Sequence, residues 1–344
     1  MTTDPVILVG KSLNNSPEVV LTNRVIKVWV LLPDANHGYY RGPRFDGSGI
    51  VRRVEYKDHV YFDRLLRPDM PVGDRENHES GAIGTASEFG LDIPPPGYDE
   101  AKPGDTFLKI GVGELRRVDS EPYGFWKPYP HVKPGKWQVS RRPITGAAQQ
   151  ISFRQKVTGP RYWGYDYETV VQLPYPDRPE VRISRRLHNN GKKTIRTEHY
   201  VHHFMGIDQT PIGPDYRLEF PFASVATRPF DPKIVDLRVV SSGKAATIIR
   251  FYKTPQNDIY GELGSIPKSA AGNAAVLVNE ATGAGIRVSG DRGPSAIHVW
   301  GTSRVLCPEM FVPVVLAPGQ TMNWSIRYIF ESGISLPNKK QVSF

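Results

Sequence analysis

One cysteine, Cys307, is present in 344 residues, which excludes an internal disulfide and any multi-cysteine zinc site. No apolar run approaches the roughly 18 residues of a membrane-spanning helix. The start, Met1-Thr2-Thr3-Asp4-Pro5, lacks a basic segment with an apolar stretch behind it, so the expected location is cytoplasmic, or periplasmic if a signal was trimmed. Gly-x-Gly-x-x-Gly, the P-loop, the Gly-x-Ser-x-Gly elbow and His-Glu-x-x-His are all missing, so nucleotide, serine-hydrolase and zincin chemistries have no support. There is no basic tail, finger or RNP motif either. The net charge of +9 comes from basic pairs spread along the chain, which argues against nucleic acid and leaves room for an anionic small ligand.

Long stretches of Ala, Leu, Glu and Lys are also lacking, while 32 glycines and 31 prolines exceed ordinary usage. This composition favours many short strands joined by turns. Period-two patterns dominate. Arg24–Leu32 is β-rich and Pro33 closes it; Ile50–Tyr56 and Val60–Phe62 flank a short loop and read as a hairpin. Ile151, Phe153, Gln155 and Val157 share one face, as do Tyr165, Tyr167, Thr169, Val171 and Leu173. Val181–His188 and Lys192–Ile207 flank Asn189-Asn190-Gly191 and read as a hairpin. Leu237–Val240 pairs by pattern with Thr247–Tyr252, and Ala274–Val278 with Gly285–Ser289. A last pair, Phe311–Leu316 and Met322–Phe330, surrounds Ala317-Pro318-Gly319-Gln320. Residues 254–268 look partly helical, and about 63–150 reads as loop-rich, with one short strand at Thr106–Val112. This many antiparallel strands must close a barrel or stack as two sheets. The expectation is all-β: one domain over 1–344, a large antiparallel β-sandwich.

Three polar constellations sit in this strand-like sequence. In the first, Arg196, Glu198, Tyr200, His202 and Phe204 alternate with apolar Ile195 and Val201, so charge and aromatic rings line one strand face. Such a stripe suits sugar binding, with rings on C–H surfaces and charges on hydroxyls; it also suits a solvated outer face. His199 and His203 point the other way from His202, and no carboxylate is spaced to join them, so no metal is expected. The second is Glu309, at a strand end between Pro308 and an apolar run, where part-burial suits a general base; a rim ion pair with Arg304 is the plainer reading. Cys307 reads as a small buried residue. The third is Arg41 and Arg44 in a Gly-rich turn, able to fork onto hydroxyls or a carboxylate, or else a local Arg44–Asp46 pair.

With these pieces in order, the chain resembles the aldose 1-epimerase (galactose mutarotase-like) superfamily. NRVIKVWVLLPDANHGYYRGPRFDGSGIVRRVEYKDHVYF is similar to its first strands, with their Arg-bearing turn. The His-rich strand ahead of Phe204 is similar to its Asn-His-x-x-Phe strand, and CPEMFVPVVLAPGQTMNWSIRYIF to its closing segment. SGAIGTASEFG and GDTFLKIGVGEL resemble a bacterial branch of the superfamily. The Asn-His-x-x-Phe spacing is not reproduced, because position 201 is Val, so His202 or His203 takes the role; strand alternation selects His202. The resemblance implies Glu309 as base, histidine as acid, no cofactor and a small sugar substrate, an acidic one given the charge balance. Arg41, Arg44 and Tyr200 would bind it, with His78, Glu88, Lys109 and Asp208 as further candidates. Two other readings stand beside this isomerase: a sugar-binding sandwich without turnover, and a lyase or hydrolase using Tyr200, Tyr162 or Tyr165.

Overall fold

The computed structural model describes residues 9–11, 16–64, 83–143, 149–241 and 245–334. Every strand pairing among them is antiparallel, and the only helical segments among the described residues are two 3-10 turns, Pro160–Tyr162 and Ala270–Gly272. No helix among the described residues is long and apolar enough to cross a membrane.

Two broad sheets stack. The ten-stranded sheet carries Gln149–Thr158, Gly164–Leu173, Glu180–His188, Thr321–Ser332, Ala284–Gly290 and Ala274–Asn279 as successive neighbours. The six-stranded sheet runs Val225–Arg228, Ile259–Gly264, Ala296–Gly301, Leu306–Leu316, Ile195–Val201, Ser87–Phe89. A five-stranded N-terminal sheet packs on the same core, where Val28 and Val54 join Phe153, Val171, Ile183 and Tyr328 of the large sheet and Val201, Val299 and Met310 of the smaller one. Alternation explains this burial. In Thr321–Ser332 the apolar residues Trp324, Ile326, Tyr328 and Phe330 turn inward while the residues between them stay more open. Each such side chain removed from water contributes about 1.5–3 kcal/mol before chain entropy is counted.

Four expectations are corrected. The strands on either side of Asn189-Asn190-Gly191 do not pair: Glu180–His188 bonds to Gly164–Leu173 and Thr321–Ser332, whereas Ile195–Val201 lies in the other sheet. The segment is a crossover between sheets. Gly191 is there for close approach, since a Cβ would stand 2.6 Å from the Tyr162 carbonyl oxygen. The Ala317–Gln320 turn is a second crossover, joining Leu306–Leu316 to a strand of the opposite sheet. The two run side by side: Asn189 N–H donates to the Gln320 carbonyl, Gly319 N–H to that of Asn189, and the Asn189 amide to that of Leu316. Residues 254–268 hold a strand, Ile259–Gly264, instead of a helix. Its alternation of Ile259, Gly261 and Leu263 inward against Tyr260, Glu262 and Gly264 outward has period two, and the interior glycines hide it. The segment read as loop-rich contains short strands, with Thr106–Lys109, Gly113–Arg116 and His131–Pro134 forming a three-stranded sheet of their own.

A close His–Glu pair on the outer face of the six-stranded sheet

Ile195–Val201 turns Ile195, Thr197, His199 and Val201 toward the interior, as alternation requires, and Arg196, Glu198 and Tyr200 outward. Its ladder with Leu306–Leu316 pairs Ile195 with Leu316 and His199 with Val312. The same register carried three residues further sets His202 opposite Glu309. The side chains meet: His202 Nε2 lies 3.0 Å from Glu309 Oε1, both largely shielded, at 8% and 5% exposure. Two side chains 107 positions apart thus share one spot.

His203 leaves this site. Its backbone is left-handed (φ 48°), so the ring turns inward to Tyr328, whose hydroxyl lies 3.0 Å from Nδ1. Burial drops its pKa to about 3. The same kink returns Phe204 to the outer side, where its ring stacks on His202 at 4.1 Å and 5°. Phe45 and Trp300 meet the imidazole edge-on. His199 also faces inward, accepting from Trp324 Nε1 at 3.2 Å, and burial pushes its pKa well down.

Beside the pair lies a buried charge network. Glu88 pairs with Tyr200 in the strand ladder and accepts from Arg44 Nε (2.8 Å), Lys109 Nζ (2.8 Å) and the Tyr200 hydroxyl (2.7 Å). Arg44 also reaches Tyr200 Oη, and Lys109 the Tyr123 hydroxyl. Burial alone would raise the Glu88 pKa, but the two cations outweigh it and hold it below the usual value. Burial in turn lowers the Lys109 pKa, against the pull of Glu88. The Arg44 guanidinium also lies over the Phe125 ring at 4.1 Å.

Two candidates lie apart from the pair. Asp208 is held by His59 Nδ1 and Val60 N–H, each at 2.8 Å, because its own left-handed backbone (φ 54°) turns the carboxylate to that hairpin. Arg41 lines a 540 Å³ cavity with Tyr40, Phe45, Lys136 and Trp137, which neither His202 nor Glu309 lines. His78 lies outside the described residues. Neither plain ion-pair alternative occurs: Arg304 bonds Asp63, Arg44 bonds Glu88, and Asp46 instead accepts from Ser48 and Tyr167. Cys307 is fully buried, which pushes its thiol pKa up. Among the described residues no group of three His, Cys, Asp or Glu is set to hold a metal.

Sequence reasoning missed His298, Trp300, Tyr123 and Phe125. His298 is recoverable from register alone, since it pairs with Glu309 across the ladder on the other side.

No protein-family profile matches the chain, and neither does any curated protein. Solved structures do. A galactose mutarotase-like protein from Clostridium acetobutylicum aligns over 95% of this chain and 99% of its own, with a TM-score of 0.57 and 12% identity. The chain has the galactose mutarotase-like fold. Galactose 1-epimerase from Lactobacillus acidophilus NCFM shares this mutarotase-like architecture over 95% of this chain and 98% of its own, at a TM-score of 0.53 and 10% identity. At such identities the likeness concerns the backbone arrangement, and any chemistry must be argued from the site.

Proposed function

We propose that the protein interconverts the anomers of a free aldose by acid–base ring opening, with Glu309 as base and His202 as acid. The observation that carries this is the 3.0 Å approach of His202 Nε2 to Glu309 Oε1 at a sheet face whose fold is mutarotase-like. A hemiacetal offers one oxygen to be deprotonated and one to be protonated, joined by a single carbon. A base and an acid 3.0 Å apart suit that spacing once a sugar oxygen comes to each.

In the reaction, ionised Glu309 takes the proton from the anomeric hydroxyl while imidazolium His202 gives one to the ring oxygen. The bond from C1 to the ring oxygen breaks and a carbonyl forms at C1. After rotation about C1–C2, the free hydroxyl attacks the other carbonyl face and returns its proton to His202. The carbonyl oxygen regains its proton from Glu309. Charge balances at every stage and no external reductant or oxidant is required.

The lyase or hydrolase reading loses its tyrosines. Tyr162 is 67% exposed, Tyr165 is buried and bonded to Gln155, and the Tyr200 hydroxyl is committed to Glu88. The test is saturation-exchange NMR of anomeric protons over neutral, acidic and phosphorylated aldoses. Enzyme-dependent exchange with at least one is the expected result. Saccharide binding with no acceleration of any of them would replace this reading with that of a binding module.

A further inference from the structure

Arg41 takes no part in the reaction above, although it lies close to Arg44 in the chain. It borders the 540 Å³ cavity, whose lining comes from three separate stretches: the segment 33–47, Gly111 and Val112, and the segment 131–137. That volume suits a small organic molecule. Gly47 helps to keep it open. A Cβ there would stand 3.5 Å from Trp137 Nε1 and 3.7 Å from Pro33 Cβ, so a longer side chain would fill space between two lining residues.

The chemistry of the lining is lopsided. Tyr40, Phe45 and Trp137 bring three aromatic rings to it. The Tyr40 hydroxyl accepts from the backbone N–H groups of Arg44 and Phe45, each at 2.7 Å, so its polar end is already engaged. The charged side chains are Arg41, Lys136 and Asp34. Asp34 Oδ1 accepts from the Asn36 and His37 N–H groups, each at 2.8 Å, and so anchors its own turn. Arg41 is the reverse case. Its Nη1 donates to the Asn36 carbonyl at 3.1 Å, while its Nε is buried with no hydrogen-bond partner among the described residues. A buried donor without an acceptor is costly unless a ligand supplies one. The edge of a guanidinium that carries Nε is one that forks onto a carboxylate. A neutral sugar is poorly served here, because hydroxyls need acceptors as well as donors, and the one carboxylate among the described lining residues holds its turn.

We infer that this cavity binds an aromatic carboxylate, with its anionic end forked on Arg41 and its ring against Trp137 and Phe45. Lys136, exposed at the rim, adds a second positive charge. Flat rings meet the indole and phenyl faces at little entropic cost, and the carboxylate supplies the acceptor that Nε lacks. Neither His202 nor Glu309 lines the cavity, so this site stands or falls independently of the proposed reaction.

The experiment is titration calorimetry of the full chain with benzoate, cinnamate and naphthoate, against their neutral amides and against glucuronate, an acid without an aromatic ring. The expected result is saturable binding of at least one aromatic acid, at least tenfold tighter than its amide and than glucuronate. Arg41→Gln and Arg41→Lys should each weaken it at least tenfold with circular dichroism unchanged, since lysine keeps the charge and loses the fork. Binding should alter tryptophan emission in the wild type, and Trp137→Phe, which retains a ring, should bind the acid while losing that change. No binding of any aromatic acid, equal binding of its amide, or undiminished binding by Arg41→Gln would overturn the site. So would an emission change that survives in Trp137→Phe.

Discussion

Replacing Glu309 by Gln is the sharpest perturbation the site allows. The amide keeps the carboxylate's shape and retains an oxygen to accept from His202 Nε2, now 3.0 Å away. What disappears is the proton acceptor. Positioned acid–base transfer contributes roughly 100- to 10,000-fold, so kcat should drop by that range, equivalent to about 2.7–5.4 kcal/mol at 1.36 kcal/mol per tenfold. Stability should change less, by about 1–3 kcal/mol, because one polar contact is altered and both groups are already shielded. Two-dimensional exchange NMR on the anomeric protons gives the rate directly, as the slope against enzyme concentration over the spontaneous background. His202→Gln should lose a similar factor, and the double variant little more, since groups acting as one unit are not additive. An unaltered slope for Glu309→Gln, with an unchanged melting temperature, would refute the assignment of the base.

Other perturbations probe the scaffold. His203 is neutral when folded, with a pKa of about 3 against 6.5 for a free imidazole; the unfolded chain therefore binds the extra proton. Stability from this group is complete above about pH 6.5 and declines as pH falls toward 3, by roughly 4–5 kcal/mol in all. Asp46, raised to about 6 by burial, acts in the opposite sense between about pH 3.8 and 6, so urea titrations must compare wild type with His203→Gln, which should show a shallower acid decline. Lys109→Met should cost about 3–5 kcal/mol by stripping a cation from buried Glu88, and adding Glu88→Gln should recover part of it; a double variant no more stable than the single would contradict that coupling. Gly84→Ala should lower the melting temperature by several degrees and impair exchange, because its φ is +55°, an added Cβ would stand 1.9 Å from the Val51 carbonyl oxygen, and its own carbonyl accepts from Phe204 N–H.

Faces were easier to read than partners. Alternation placed Glu198 and Tyr200 outward and Ile195 and Val201 inward, because side-chain direction is a local property of an extended chain. Pairing is not local. Asn-Asn-Gly and Pro-Gly-Gln carry the turn chemistry of hairpins, yet each serves a crossover, since close packing of Gly191 on Tyr162 and the bonds between Asn189 and Gln320 decide the path. Glu88 and Lys109 entered as loop candidates and emerged as a buried pair, for which no spacing rule exists across 21 residues. Asp208 and Arg41 look no different in sequence from residues of the site; only tertiary geometry takes them to His59 and to a cavity that the pair does not line.

The adjacent crossovers have a consequence for how the molecule is assembled. Thr321–Ser332 sits mid-sheet, between Glu180–His188 and Ala284–Gly290, and Leu306–Leu316 is likewise internal to the other layer. During synthesis, the first three hundred residues must therefore wait with two open seams, one in each layer. A single C-terminal stretch then threads both, and the carboxylate arrives on it. Closure of the architecture and completion of its chemistry are the same late event.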